Sequence, residues 1–186
     1  MDFARGDCWD CRSRKLLFRA ARTIGPYGDQ LRDAVLKMKH TAGEPLANAI
    51  AHRLADVLAQ NPLPQPPDLV TPVPIHWLKR LWRGTNPAET VARALAKRLS
   101  LRLANRLLIC RRYLRRQSTL TPPERRRNVR GAFRTSRRWN IAGKTVLLVD
   151  DVMTTGATAH EAARVLLAAG VADVFVATVA RSSPEF

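Results

Sequence analysis

Val146-Leu147-Leu148-Val149-Asp150-Asp151-Val152-Met153-Thr154-Thr155-Gly156-Ala157-Thr158 is the stretch on which the fold turns. Four apolar residues in a row after Thr145 predict a strand buried on both faces, the pattern of a parallel sheet. That strand delivers two carboxylates at its C-terminal end. A short Thr/Gly loop follows, then a helix predicted from about Ala157 to Ala169, with Gly170 placed to cap it. Val174 to Val179 reads as the next strand, so the unit is strand, loop, helix, strand.

The same alternation extends upstream. Leu31, Ala34, Val35 and Met38 fall at helical spacing over Asp29 to about Lys39, and Leu46, Ala47, Ile50, Leu54, Val57 and Leu58 mark a second helix. The proline-rich connector from Asn61 to Pro67 cannot be helix or central strand. Asp68 to Val73 reads as a short buried strand. Asn86-Pro87-Ala88-Glu89 reads as a helix start, with Asn86 as cap, Pro87 at the first position and Glu89 reaching back. Arg106 to Arg112 encloses another short strand, and Tyr113 to Arg130, basic and carrying Pro122-Pro123, reads as a mobile loop. Strands alternating with helices predict an α/β fold, a central mostly parallel sheet flanked by helices. Residues 1–27 lack periodicity and read as an appendage; 28–186 read as the main domain.

The chain has 186 residues, 46% of them hydrophobic, which excludes a disordered tail and suits one compact domain. No apolar run reaches bilayer length and the N-terminus has no apolar signal region, so the expectation is a cytoplasmic protein with no membrane partner. The net charge is +17. Between Lys79 and Arg138 there are 19 basic and 2 acidic residues, so the excess lies in that central segment. Such a segment attracts polyanions: a phosphorylated small molecule, a nucleotide or a nucleic acid. The competing reading is an arginine-rich codon bias on solvated faces.

The loop after the decisive strand defines a chemistry. Ligands of open α/β sheets bind beyond the carboxyl ends of strands. A helix N-terminus offers free N–H groups and the positive end of the helix dipole, which favour phosphate. Gly156 lets the backbone come close, and Thr154, Thr155 and Thr158 add hydroxyls. Asp150 and Asp151 would repel a phosphate, but they suit the vicinal hydroxyls of a ribose or a Mg²⁺ shared with the ligand. Acidic groups for the sugar beside a neutral cradle for phosphate describe a ribose 5-phosphate. No Gly-Lys-Ser/Thr follows, so this is not a P-loop, and the dinucleotide glycine pattern is absent. A purely structural Asp-Asp turn capping the helix is the plain alternative.

This segment resembles the PRPP-binding motif of type I phosphoribosyltransferases. The wider chain, about residues 8 to 182, resembles the ComF or GntX family of competence-associated proteins. The resemblance rests on Leu36-Lys37-Met38-Lys39, Val73-Pro74-Ile75-His76, Arg83-Gly84-Thr85-Asn86, Gln117 with Leu120, and Arg127 to Phe133, together with the Asp-Asp loop. Thr85 stands where relatives usually carry phenylalanine. The resemblance implies a type I phosphoribosyltransferase fold in which Asp150 and Asp151 are the catalytic carboxylates holding the ribose. Thr154, Thr155, Gly156, Ala157 and Thr158 would wrap the 5-phosphate. His76, Arg80, Arg83, Gly84 and Asn86 would form the pyrophosphate loop. Arg112, Gln117, Arg127 and Asn128 would belong to the flexible loop that closes over PRPP. It implies transfer of phosphoribose from PRPP to an acceptor with Mg²⁺. The alternative is a non-catalytic, PRPP- or nucleotide-responsive protein of DNA uptake that binds single-stranded DNA through the basic segment and its Trp77, Trp82 and Tyr113.

ComF relatives often carry a four-cysteine zinc module at the N-terminus. Here Cys8 and Cys11 form one Cys-x-x-Cys pair, half of the four ligands a structural Zn²⁺ takes. A late start, a degenerate zinc-ribbon-like module and zinc bridged between chains all remain open. Zinc held by this chain alone is not expected. Cys110, inside an apolar run, reads as core.

Overall fold

The computed structural model describes residues 16–38, 44–115 and 119–182. Its centre is a five-stranded sheet, all parallel. The strands are β1 (Ala20–Pro26), β2 (Leu69–Pro72), β3 (Arg102–Leu103), β6 (Thr145–Met153) and β7 (Asp173–Arg181), in the order β1-β7-β6-β2-β3. β4 (Leu108–Cys110) and β5 (Phe133–Thr135) form a separate antiparallel pair, with Ile109 opposite Arg134. Side chains alternate across a strand, and in β6 that alternation feeds two cores. Val146 and Leu148 pack with Val174, Val176 and the helix after the acidic loop. Leu147 and Val149 pack on the other face with Phe175, Val179, Leu54 and Leu95.

The helices are α1 (Asp29–Lys37), α2 (Glu44–Gln60), α3 (Trp77–Arg83), α4 (Pro87–Arg98), α5 (Pro122–Val129) and α6 (Ala157–Ala168). α2 buries Ala47, Ile50, Leu54 and Leu58, the predicted stripe. α6 ends before Gly170, whose φ of +92° supports the expected cap. No helix among the described residues is long and apolar enough to cross a membrane.

Several expectations need correction. Residues 20–26, read as part of the appendage, form edge strand β1 of the central sheet, paired with β7 from Ala20↔Phe175 to Pro26↔Arg181. Their Ala-Ala-Arg-Thr-Ile-Gly-Pro composition has no alternation to detect, because the pairing is set by a partner some 155 residues away. The expected structureless loop over 113–130 contains α5. Its Pro122 and Pro123 occupy the first helical turn, where a missing N–H costs nothing. Thr121 and Glu124 close a capping box: Thr121 N and Oγ1 both donate to Glu124 Oε2, at 2.8 and 2.7 Å. The capping box predicted at Asn86 does not form. Asn86 Nδ2 donates to Val73 O at 3.0 Å, and Glu89 turns to side chains instead.

Candidate functional site

β6 runs on through Asp150 and Asp151 to Met153, so both carboxylates sit in the last part of the strand rather than after it. Both are half-buried. Asp150 Oδ1 accepts from Asp151 N at 2.9 Å and Asp151 Oδ1 accepts from Val152 N at 2.8 Å. Neither makes an ion pair among the described residues. Burial, and next the neighbouring charge of Asp151, push the Asp150 carboxyl well above the usual carboxylate range. On β7, Thr178 stands in register with Asp150. Its hydroxyl is fully buried and is the unpartnered buried side-chain polar atom among the described residues. Half-buried acid groups that accept backbone N–H bonds and make no ion pair among the described residues suit further hydroxyl donors or a cation. This set fits ribose hydroxyls, and it fits a Mg²⁺ whose remaining ligands come from a phosphorylated substrate and water.

Thr154 and Thr155 are half-buried and lead into Gly156, the N-cap residue of α6. Thr155 Oγ1 accepts from Ala157 N at 3.4 Å. Gly156 has φ +70° and ψ 6°, a left-handed conformation that favours glycine. A Cβ there would meet the Phe18 ring at 3.6 Å, ordinary contact. The cost of Gly156→Ala therefore comes from the backbone, about 1–2 kcal/mol. Urea denaturation should show that loss with the slope unchanged. The ring of Phe18 and the bond from Leu17 N to His160 Nδ1, at 3.3 Å, place the segment before β1 against this loop. Sequence reading missed that brace, since nothing local announces it.

The predicted pyrophosphate loop is brought to the same end of the sheet, beyond β2, but in a different form. Trp77–Arg83 is the helix α3, not loop. His76 caps it, its Nδ1 accepting from Leu78 N at 3.4 Å. Arg80 is not a free cation: its Nη1 donates to Glu89 Oε2 at 2.7 Å and its Nη2 to Oε1 at 3.4 Å. Glu89, about nine-tenths buried, also takes Arg93 and Asn105. The buried carboxylate needed partners, and the loop's arginine is spent on it. Asn86 is buried and ties the loop's end to Val73, while Gly84 is exposed. The side chain of Arg83 lies outside the described residues.

The flexible-loop residues are likewise partly committed. Arg112 Nη2 donates to the carbonyls of Asn128 and Arg130, both at 2.9 Å. Asn128 is buried and bonds the backbone of Arg115 through both amide atoms, at 3.2 and 3.1 Å. Arg127 is exposed on α5. Gln117, Cys8 and Cys11 lie outside the described residues. No group of three or more metal-ligating side chains is found among the described ones. Cys110 is buried, as expected, and burial raises its thiol above the ordinary value. Trp77 and Trp82 stay exposed over 64% and 89% of their surface.

Comparison with known proteins fits this geometry. The family model described as phosphoribosyl transferase domain matches residues 83–184, over half the chain. The chain is 30% identical over 179 residues to DNA utilization protein YhgH of Salmonella typhi, covering 94% of this chain and 78% of that one. It is 30% identical over 172 residues to competence protein ComFC of Bacillus subtilis strain 168, covering 89% and 67%. Among solved structures, the allosteric regulatory enzyme of purine biosynthesis superposes with a TM-score of 0.50 at 23% identity, over 77% of this chain and 30% of that one. The fold is that of the type I phosphoribosyltransferases. Within that class the chain belongs to the ComF family.

Proposed function

We propose that the chain binds PRPP at the Asp150–Thr158 turn and transfers its phosphoribosyl group to an acceptor. The observation that carries this is the pair of half-buried, unpaired carboxylates at the end of β6, followed by a left-handed Gly156 at the start of α6. Asp150 and Asp151 accept the ribose hydroxyls. Thr154, Thr155, Thr158 and the first N–H groups of α6 hold the 5-phosphate. In the transfer, the bond from C1 to pyrophosphate breaks and pyrophosphate keeps the electron pair. C1 bonds to the acceptor, whose proton passes to solvent. Asp150 and Asp151 would hold Mg²⁺, which when bound would neutralise charge on the leaving group. The turn around Gly84 and exposed Arg127 face the task of receiving pyrophosphate, since Arg80 is already engaged. Calorimetric titration with PRPP and Mg²⁺ tests binding, and pyrophosphate release on adding candidate acceptors tests transfer. Micromolar binding and acceptor-dependent release are the expected results; an absence of PRPP binding removes the reading.

A second reading, nucleic-acid binding, is favoured by the basic central segment and by relatives named for DNA utilization and competence. One domain has room for both, provided that the two ligands use different surfaces.

A further inference from the structure

A deep concavity lies away from the acidic loop. It is a cavity of about 1040 Å³ against the start of β3 and the β4–β5 pair. Arg102, Arg106, Arg111, Arg134, Arg137 and Arg138 line it. All six are exposed, and none makes an ion pair among the described residues. No carboxylate is among the lining residues. The nearby Asn105 donates to Glu89 at 2.7 Å, but that acid already holds Arg80 and Arg93.

The cavity lies apart from the proposed PRPP site. None of its lining residues belongs to 73–86 or 150–158. Arg102 is in register with Leu69, and Leu69 with Val146. Asp150 lies four residues farther along β6, so its backbone is ~13 Å along the strands and ~10 Å across them.

Six unpaired guanidinium groups around one concavity repel one another and raise the local potential for anions. A single phosphate neutralises one or two of them; consecutive phosphates on a chain neutralise the set. The volume also reaches the top of the range for one small ligand, roughly 300–1,000 Å³. Trp139 is the aromatic residue of the wall, and Arg102 lies over its ring at 4.7 Å from the centroid. The ring also packs on the core, so it fixes Arg102 more than it offers a stacking face. Arginines dominate the wall, and their guanidinium groups fork onto phosphate oxygens, so the recognition is of backbone phosphate.

We propose that this cavity is a second anion site that takes the sugar–phosphate backbone of a single nucleic-acid strand, independently of PRPP. The proposal rests on the nucleic-acid reading above and gives it a place, away from Trp77, Trp82 and Tyr113.

The test is fluorescence anisotropy with a labelled deoxythymidine oligonucleotide of about 20 residues, long enough to span one such site. Three full-length proteins are compared between about 50 and 200 mM salt. They are the wild type, Arg134→Ala/Arg137→Ala/Arg138→Ala in the cavity, and Arg32→Ala/Lys37→Ala/Arg53→Ala on α1 and α2. The two triple variants lose the same charge. The cavity triple should weaken binding about tenfold or more and flatten the log–log salt slope by about 2. The α1/α2 triple should change affinity less than about threefold. Arg111→Ala/Arg134→Ala, a second cavity variant, should weaken binding in the same sense, and thermal melts check that each variant is folded. Equal weakening by both triples, or none by either, overturns the site while leaving nucleic-acid binding in place. Absence of oligonucleotide binding by the wild type overturns both. PRPP titration of the cavity triple should match wild type; a loss there would show that the two sites are one and overturn the proposal.

Discussion

Replacing Asp150 and Asp151 together by asparagine is expected to abolish PRPP binding while making the domain more stable. Each carboxylate accepts a charge-assisted hydrogen bond from a ribose hydroxyl, worth about 1.5–3 kcal/mol. Losing both costs about 3–6 kcal/mol, a factor of about 10² to 10⁴ in affinity. Calorimetry with PRPP and Mg²⁺ reads this directly. The stability gain has a separate origin. Burial and the adjacent Asp151 charge raise the folded Asp150 carboxyl above its usual 3.8. A group whose pKa is raised by folding favours the folded state at low pH, where it is protonated. That contribution is lost as pH rises from about 3.8 through the higher folded value. Asparagine has no charge to desolvate. The variant should therefore melt higher than wild type at pH 7, by about 1 kcal/mol or 2–4 °C. The difference should close as pH falls toward 3.8 and below. A variant that melts lower at neutral pH would mean that the aspartates are structural. Retained PRPP binding would mean that the ligand sits elsewhere.

Glu161→Ala is expected to be the most destabilising single change near the site. Glu161 lies on α6, buried to 5% exposure. Its Oε1 accepts from Gly131 N at 2.8 Å and from Arg164 Nη2 at 2.7 Å, and Oε2 accepts from Arg164 Nε at 2.9 Å. The bond to Gly131 fastens the turn between α5 and β5 to the helix that begins at the phosphate loop. Alanine strands a backbone donor and removes the acceptor of a charged partner. The cost is about 2–3 kcal/mol, or a fall of about 5–10 °C in Tm. Glu161→Gln keeps an acceptor for Gly131 and should lose about half as much. Burial works to raise this carboxyl, but Arg164 and the Gly131 N–H outweigh it and hold it below its usual 4.5. Here folding lowers the pKa, so the stabilisation is present above 4.5 and lost as pH falls through the folded value. The gap between wild type and Glu161→Ala should be flat near neutrality and shrink in acid. A gap that widens in acid would refute this account.

The sequence by itself determined the β6–loop–α6 unit, because its information is local. Four apolar residues, two acids, a threonine–glycine turn and a helical stripe each act on their nearest neighbours along the chain. The class of fold follows from such local patterns, and the buried state of Cys110 follows from its own apolar run. Tertiary structure decided whatever depends on a distant partner. β1 exists because β7 offers it an edge, and residues 20–26 show no pattern of their own. Arg80 is held as a clamp because α4 presents the buried Glu89 to it. α5 forms where prolines suggested a loop, since they fall in its first turn and Thr121 and Glu124 close the cap. The arginine cavity is the furthest from local reading. Arg102 and Arg134 come from strands of two different sheets and Arg111 directly follows β4, and a count of positive charge along the chain does not reveal which charges share a concave wall. Net charge is a property of composition, whereas the field at a point depends on distances that only folding sets.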